Sequence, residues 1–196
     1  MKYNPEKHHR KSMRLKGYDY SSNGGYFVTL VSKNRQDFFG KIINGEMNLS
    51  EIGQIAYDNW KNISEHFKNV EIDEFVIMPN HLHGIIVINS DNAGTFHETS
   101  LQHETPLQNN ENNIISGKNE FFSNLSPSKN TLSVIIRLYK QSVTMWCKKN
   151  NHEYFQWQRN YHEWIIKNEN HLERFRNYIY QNPLKWEIDS ENPNKK

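Results

Sequence analysis

One cysteine in 196 residues, Cys147, leaves no internal disulfide to form and no cysteine-rich zinc module to build. Its apolar helical surroundings read as an ordinary buried thiol. Long apolar runs are missing as well. No stretch approaches the roughly 20 apolar residues of a membrane span, and the opening MKYNPEKHHRKS lacks the apolar run of a secretory signal. The expected location is therefore the cytoplasm, with no membrane partner. Hydrophobic residues reach only 35% although aromatics make up 13%, so some segment must be polar and unpacked. The length suits one domain.

Net charge is only +2, but it is unevenly spread. Residues 1–20 carry six Lys or Arg against Glu6 and Asp19, and residues 131–186 carry nine against four acids. Both ends are able to meet phosphates, with Arg10, Lys11 and Arg14 in the first cluster and Arg159, Arg174 and Lys185 in the second. Solvated helix faces would give the same counts.

Periodicity sets out the elements. The run GYFVTLVS from Gly25 follows Ser22-Asn23-Gly24 and reads as a strand. From Ser50 to about Lys68, the residues Ile52, Ile55, Ala56, Trp60, Ile63 and Phe67 recur at helical spacing behind a Ser50 N-cap. Two β-rich runs, Ile72 to Met78 and Leu82 to Ile88, flank Pro79-Asn80 and read as an antiparallel hairpin. A second amphipathic helix is marked by Leu132, Ile135, Ile136, Tyr139, Val143 and Trp146. An aromatic extended segment follows from Phe155 to Ile166, and a last helix from about Glu169 to Gln181 must stop before Asn182-Pro183. That order folds as an α+β, ferredoxin-like antiparallel sheet with helices packed on it. The expected organisation is a basic arm over 1–24, a catalytic domain over 25–186 interrupted by a polar insertion at 90–130, and a polar tail over 187–196.

Residues two apart on a strand share a face, so His81 and His83 present two imidazoles together while Leu82 enters the opposite side. Taken alone, such a pair also occurs in structural or surface roles. On the last helix Tyr178 and Asn182 lie one turn apart, which lets a phenol and an amide oxygen share a side; a wet half-buried aromatic and a helix-end residue before proline are the plain alternatives.

Three motifs in order then carry a resemblance: DEFVIMPNHLHGIIVI from Asp73, WQRN from Trp157 and NYIYQNPLKW from Asn177, with Gly17-Tyr18-Asp19-Tyr20 and Tyr26-Phe27-Val28-Thr29 before them. Together they resemble the REP-associated branch of the single-tyrosine HUH transposases over roughly residues 10–190, apart from the insertion. The resemblance implies an HUH nuclease domain with a divalent ion, Mg²⁺ or Mn²⁺, on His81 and His83, and a third ligand at Asn182. It also implies Tyr178 as nucleophile on single-stranded or hairpin DNA, through a 5′-phosphotyrosine, in a monomer or homodimer. Tyr180, turned about 200° from Tyr178 on a helix, and Tyr161 are the rival phenols. Arg10, Lys11, Arg14, Arg159, Arg174 and Lys185 are the expected DNA contacts, and Trp157, Tyr161 and Trp164 are candidates to stack on bases or to fill the core. Members of this branch often read Tyr-Tyr-Glu-His-Ile-Ile where this chain reads Tyr161-His162-Glu163-Trp164-Ile165-Ile166. The displaced histidine keeps open a catalytically inactive nucleic-acid-binding derivative. A hydrolytic site on a small phosphoester, with water as nucleophile, is the remaining rival.

Overall fold

The structure, a computed structural model, describes residues 23–89 and 131–193. The arm with Arg10, Lys11 and Arg14 and the insertion at 90–130 lie outside the described residues. Among the described residues six strands and four α-helices follow in order: β1 (Gly24–Val31), β2 (Gly40–Ile43), β3 (Glu46–Leu49), α1 (Glu51–Lys61), α2 (Ile63–His66), β4 (Val70–Ile77), β5 (His81–Ile88), α3 (Leu132–Lys149), β6 (His162–Ile166) and α4 (Glu169–Gln181). Short 3-10 helices occupy Lys33–Arg35 and Pro183–Ile188. Among the described residues no helix is long and apolar enough to cross a membrane.

The main sheet runs β4-β5-β1-β6 with every neighbouring pair antiparallel, so β5 is inserted between β1 and the parallel β4. This is the α+β, ferredoxin-like plan that the periodicity implies. Strand alternation divides the side chains between two faces. Tyr26, Val28, Leu30, Leu82 and Ile86 face one side and join α1 and α3 in the main core, where Trp60 is fully buried and meets Tyr139 edge-on at 5.0 Å. Phe27 and Ile85 face the other side, where a smaller cluster receives Ile179 of α4 with Leu172 and Phe175 at its rim. Gly84 lies on the main-core face with no room for a side chain, since a Cβ there would overlap the Trp60 indole.

The helix expected from Ser50 to Lys68 is two helices. Asn62, at φ −81° and ψ 1°, breaks the hydrogen-bond ladder between α1 and α2 and lets Ile63 turn into the core. Ser50 caps α1 as expected: its Oγ accepts from the Gly53 N–H at 3.1 Å and donates to the Phe38 carbonyl at 2.6 Å. Ser50→Ala is expected to cost about 1 kcal/mol, read as a lower urea midpoint at unchanged slope.

Of the extended run expected over 155–166, only β6 pairs as a strand. Asn160 takes a left-handed conformation (φ 67°), which turns the chain, and upstream Trp157 makes an isolated bridge to Ser32. The β2–β3 hairpin was not anticipated. Its Asn44-Gly45 turn holds both residues at positive φ, 54° and 79°, the backbone that two-residue hairpins favour.

Candidate active site

Cross-strand register assembles the site on the sheet face that carries α4. His83 lies opposite Thr29, and His81 opposite Val31. Both imidazoles are buried, at 0% exposure for His81 and 3% for His83. Asn80 fixes the first ring. Its Nδ2 donates to the carbonyls of Arg35 (3.1 Å) and Glu191 (2.9 Å), so Oδ1 must face His81 Nδ1, 2.8 Å away. An amide oxygen only accepts, hence Nδ1 carries the proton and Nε2 keeps its lone pair. That Nε2 is buried without a hydrogen-bond partner. His83 Nδ1 lies 2.8 Å from Thr29 Oγ1, and its ring stacks on Phe27 at 5.3 Å. Burial, with the Arg35 charge adding to it, pushes His81 down to about 3; burial likewise holds His83 well below the ordinary histidine value, against the pull of Asp189. Both rings are therefore neutral at physiological pH, the form in which imidazole binds a metal.

α4 brings the phenol to the pair. Asn168 starts the helix by accepting from the His171 N–H at 3.0 Å, and Leu172, Phe175 and Ile179 seat it on the sheet. A bulge in β4 sets its other contact. Ile72 pairs with Ile86 and Phe75 with Gly84, so Asp73 and Glu74 together oppose Ile85. Asp73 in this bulge accepts two hydrogen bonds from Arg176, Nε at 3.0 Å and the terminal nitrogen at 2.7 Å. With α4 held, the Tyr178 hydroxyl lies 3.3 Å from His83 Nε2 while the side chain stays 43% exposed. Arg176→Ala is expected to lower stability by about 1 kcal/mol and to broaden the Tyr178 environment in NMR spectra of ring-labelled protein.

Asp189 completes the cluster, and the sequence reading missed it. The residues expected as a polar tail from 187 instead fold back behind the Pro183–Ile188 turn, and Asp189 is only 8% exposed. Its Oδ1 accepts from the Glu191 N–H at 2.6 Å and its Oδ2 from Asn182 Nδ2 at 3.2 Å. Ligand atoms of His81, His83 and Asp189 lie within 4.8 Å of one another. No salt bridge among the described residues neutralises this buried carboxylate. Asn182, the expected third ligand, is buried at the same place with Oδ1 unpartnered. Two neutral imidazoles, one carboxylate and one free amide oxygen, with His81 Nε2 and Asn182 Oδ1 unsatisfied, suit a divalent cation. Burial raises the Tyr178 phenol above its ordinary value, Asp189 adds to the rise, and the Asn182 amide opposes it.

The 188 aligned residues of an uncharacterized protein from Haemophilus influenzae are 41% identical to this chain, covering 96% of each. The chain belongs to the same family as that Haemophilus protein. No family model matches it. Among solved structures, the REP-associated tyrosine transposase bound to a REP hairpin superposes with a TM-score of 0.55 at 18% identity, covering 89% of this chain and 74% of that one. This chain thus shares the fold of that transposase, as the three motifs suggest.

The remaining expected site residues are more scattered. Arg174 is exposed on α4 one turn before Tyr178, Lys185 is exposed on the closing turn with Nζ 2.5 Å from Gln181 Oε1, and Arg159 is exposed beside the Lys33–Arg35 turn. Tyr180 is 81% exposed and points away from the cluster, as a residue two along the helix must. His162 lies opposite Thr29 and Trp164 opposite Phe27, so both share the sheet face of the histidine pair. The displaced histidine therefore remains on that face, one pleat closer to the Thr29–His83 row than position 164.

Proposed function

We propose that this chain cuts and rejoins single-stranded DNA, with Tyr178 as nucleophile and a divalent cation, Mg²⁺ or Mn²⁺, held by His81, His83 and Asp189 with Asn182 beside them. The observation that carries the reading is the hydroxyl of half-exposed Tyr178, 3.3 Å from His83 Nε2 at the edge of a buried cluster of metal-binding groups. Asn80 and Thr29 hold the two rings in register, and Asn182 and Glu191 hold the carboxylate.

In the cutting step Tyr178 Oη loses its proton and forms a bond to the scissile phosphorus. The bond to the 3′ oxygen breaks, and that oxygen takes up a proton as the free 3′ hydroxyl. The DNA is left as a 5′-phosphotyrosine. Rejoining is the reverse displacement, in which a 3′ hydroxyl attacks the same phosphorus and the phenol leaves, so no nucleotide cofactor is needed. When bound, the cation neutralises charge on a nonbridging phosphate oxygen and acts as a Lewis acid. A phenol kept above its ordinary value by burial and by Asp189 is a poor nucleophile, which is why the reading pairs Tyr178 with a cation site. The hairpin in the transposase of known structure suggests hairpin-bearing DNA as substrate here, and the exposed Arg174 and Lys185 are expected to contact its phosphates.

The test is incubation of the purified protein with Mn²⁺ and a 3′-labelled single-stranded hairpin oligonucleotide, followed by denaturing electrophoresis. Wild type is expected to retain label as a covalent adduct, and Tyr178→Phe none. An adduct that survives Tyr178→Phe moves the nucleophile elsewhere; tight binding with no adduct from wild type replaces the enzyme with a DNA-binding derivative of the same fold.

A further inference from the structure

The segment that supplies Asp189 has no core of its own. Among the described residues nothing after Ile179 belongs to either apolar cluster, and Leu184 and Ile188 are exposed. Polar bonds therefore decide where the Asp189 carboxylate stands. Asn80 and Asn182 supply two of them. A third crosses 156 residues of sequence: Arg35 Nε donates to Glu191 Oε2 at 2.8 Å.

Glu191 turns backbone and side chain alike toward the site. Its N–H donates to Asp189 Oδ1 at 2.6 Å, its carbonyl accepts from Asn80 Nδ2 at 2.9 Å, and its carboxylate takes the Arg35 guanidinium. The Glu191 side chain is 15% exposed, against 49% for Arg35. Arg35 is fixed on its own side as well. Its N–H donates to the Ser32 carbonyl at 3.2 Å, and its carbonyl accepts from the same Asn80 amide at 3.1 Å. Asn34 and Arg35 both take left-handed backbone, φ 57° and 54°, which residues with a Cβ rarely adopt. Such conformations persist where the surroundings over-determine them, and they gather at functional sites. Here they bring the Arg35 carbonyl to Asn80 and the Arg35 guanidinium to Glu191.

We propose that Arg35 and Glu191 form an electrostatic latch that sets the Asp189 carboxylate against the two imidazoles, so that both are positioning residues for the cation. The proposal rests on the cation reading above. The pair also acts through charge. The Arg35 guanidinium makes His81 harder to protonate, and the same field opposes a metal ion on that ring; Glu191, in contact with the guanidinium, offsets it. Loss of Glu191 therefore loosens the ligand and bares a like charge, whereas loss of Arg35 loosens the ligand and removes the repulsion together.

The experiment is a double-mutant cycle on Arg35→Ala, Glu191→Ala and both together, read as the Mn²⁺ dissociation constant by isothermal titration calorimetry. Alanine at 191 leaves the N–H and the carbonyl that meet Asp189 and Asn80, so the loss belongs to the carboxylate. Glu191→Ala is expected to weaken Mn²⁺ binding about 10–100-fold, the ordinary cost of losing a group that orients a metal ligand. In the Arg35→Ala background the same substitution is expected to cost less than about threefold, because no pair is left to break. Arg35→Lys keeps the pair and is expected to keep wild-type affinity. Urea midpoints in EDTA are expected to stay near wild type throughout, since an ion pair exposed on its arginine side adds little to stability. An equal loss in both backgrounds makes Glu191 a distant charge, wild-type affinity in Glu191→Ala makes it a bystander, and a collapsed midpoint in EDTA makes it a prop of the fold. Each of these overturns the latch, as does an absence of Mn²⁺ binding by wild type. Adduct formation on the hairpin oligonucleotide is scored separately. The expected coupling without any wild-type adduct supports the latch and removes the cutting reaction, whereas an adduct with no coupling overturns the latch and leaves cutting in place.

Discussion

Asp189→Asn is expected to weaken Mn²⁺ binding by at least about 100-fold in isothermal titration calorimetry. Even a partner of a ligand is worth about 10–100-fold in metal affinity, and Asp189 brings the one negative charge of the cluster. Asparagine keeps the size and an acceptor for the Glu191 N–H while removing that charge, and a flip of the Asn182 amide lets its unpartnered Oδ1 accept from the new NH2, so in EDTA the variant is expected to unfold near the wild-type midpoint. The same substitution removes the Mn²⁺-dependent rise in melting temperature, since a ligand stabilises the fold only in proportion to its occupancy. Wild-type Mn²⁺ affinity in Asp189→Asn returns the cluster to His81, His83 and Asn182 alone.

Acid is expected to destabilise the metal-free protein through the same two histidines. The folded chain keeps His81 neutral down to about pH 3, whereas an unfolded histidine takes a proton near about 6.5. Between those values the unfolded state binds more protons, so stability is complete above about pH 6.5 and falls as pH drops toward 3. From pH 7 to pH 5 the loss is about 2 kcal/mol for His81, and His83, depressed by the same burial, adds to it in the same direction. Urea titrations in EDTA at the two pH values measure it. His81→Asn is expected to flatten the dependence; a wild-type midpoint that does not move between pH 7 and pH 5 means that the rings are hydrated and already open to protons.

Much of this was legible in residue order. Alternation and 3.6-residue spacing place β1, the β4–β5 pair, α3 and α4 within a residue or two of where they fold, and the two-residue offset of His81 and His83 puts both rings on one face. Tyr178 is singled out only by the resemblance of NYIYQNPLKW to the transposase motif, since spacing alone also allows a plain half-buried aromatic. Asp189 has no such mark. It lies in DSENPNKK, a stretch that reads as polar tail because nothing periodic marks it. What buries it is tertiary, the turn at Pro183–Ile188 and the Asn192 side chain bonded back to the Trp186 carbonyl at 2.9 Å. Asn80 carries only a turn signal in the sequence, although its amide decides the His81 tautomer. The β2–β3 hairpin has a usable signal in Asn44-Gly45, but its strands are only four residues long, too short for a clear alternation. The split of α1 from α2 at Asn62 had none, since Ile63 and Phe67 keep the helical spacing across the break.

The sheet shares its labour unequally between its two sides. Nearly all the large buried side chains, Trp60, Tyr26, Leu82 and Ile135 among them, lie with α1 and α3, while the Tyr178 phenol rides on a helix anchored by Ile179, a rim of apolar neighbours and one arginine clamp. A substitution at half-exposed Tyr178 therefore removes little of what keeps the chain compact. A lineage that loses this phenol will go on making well-folded protein, so good expression and a cooperative melt say nothing of whether a given relative still carries it.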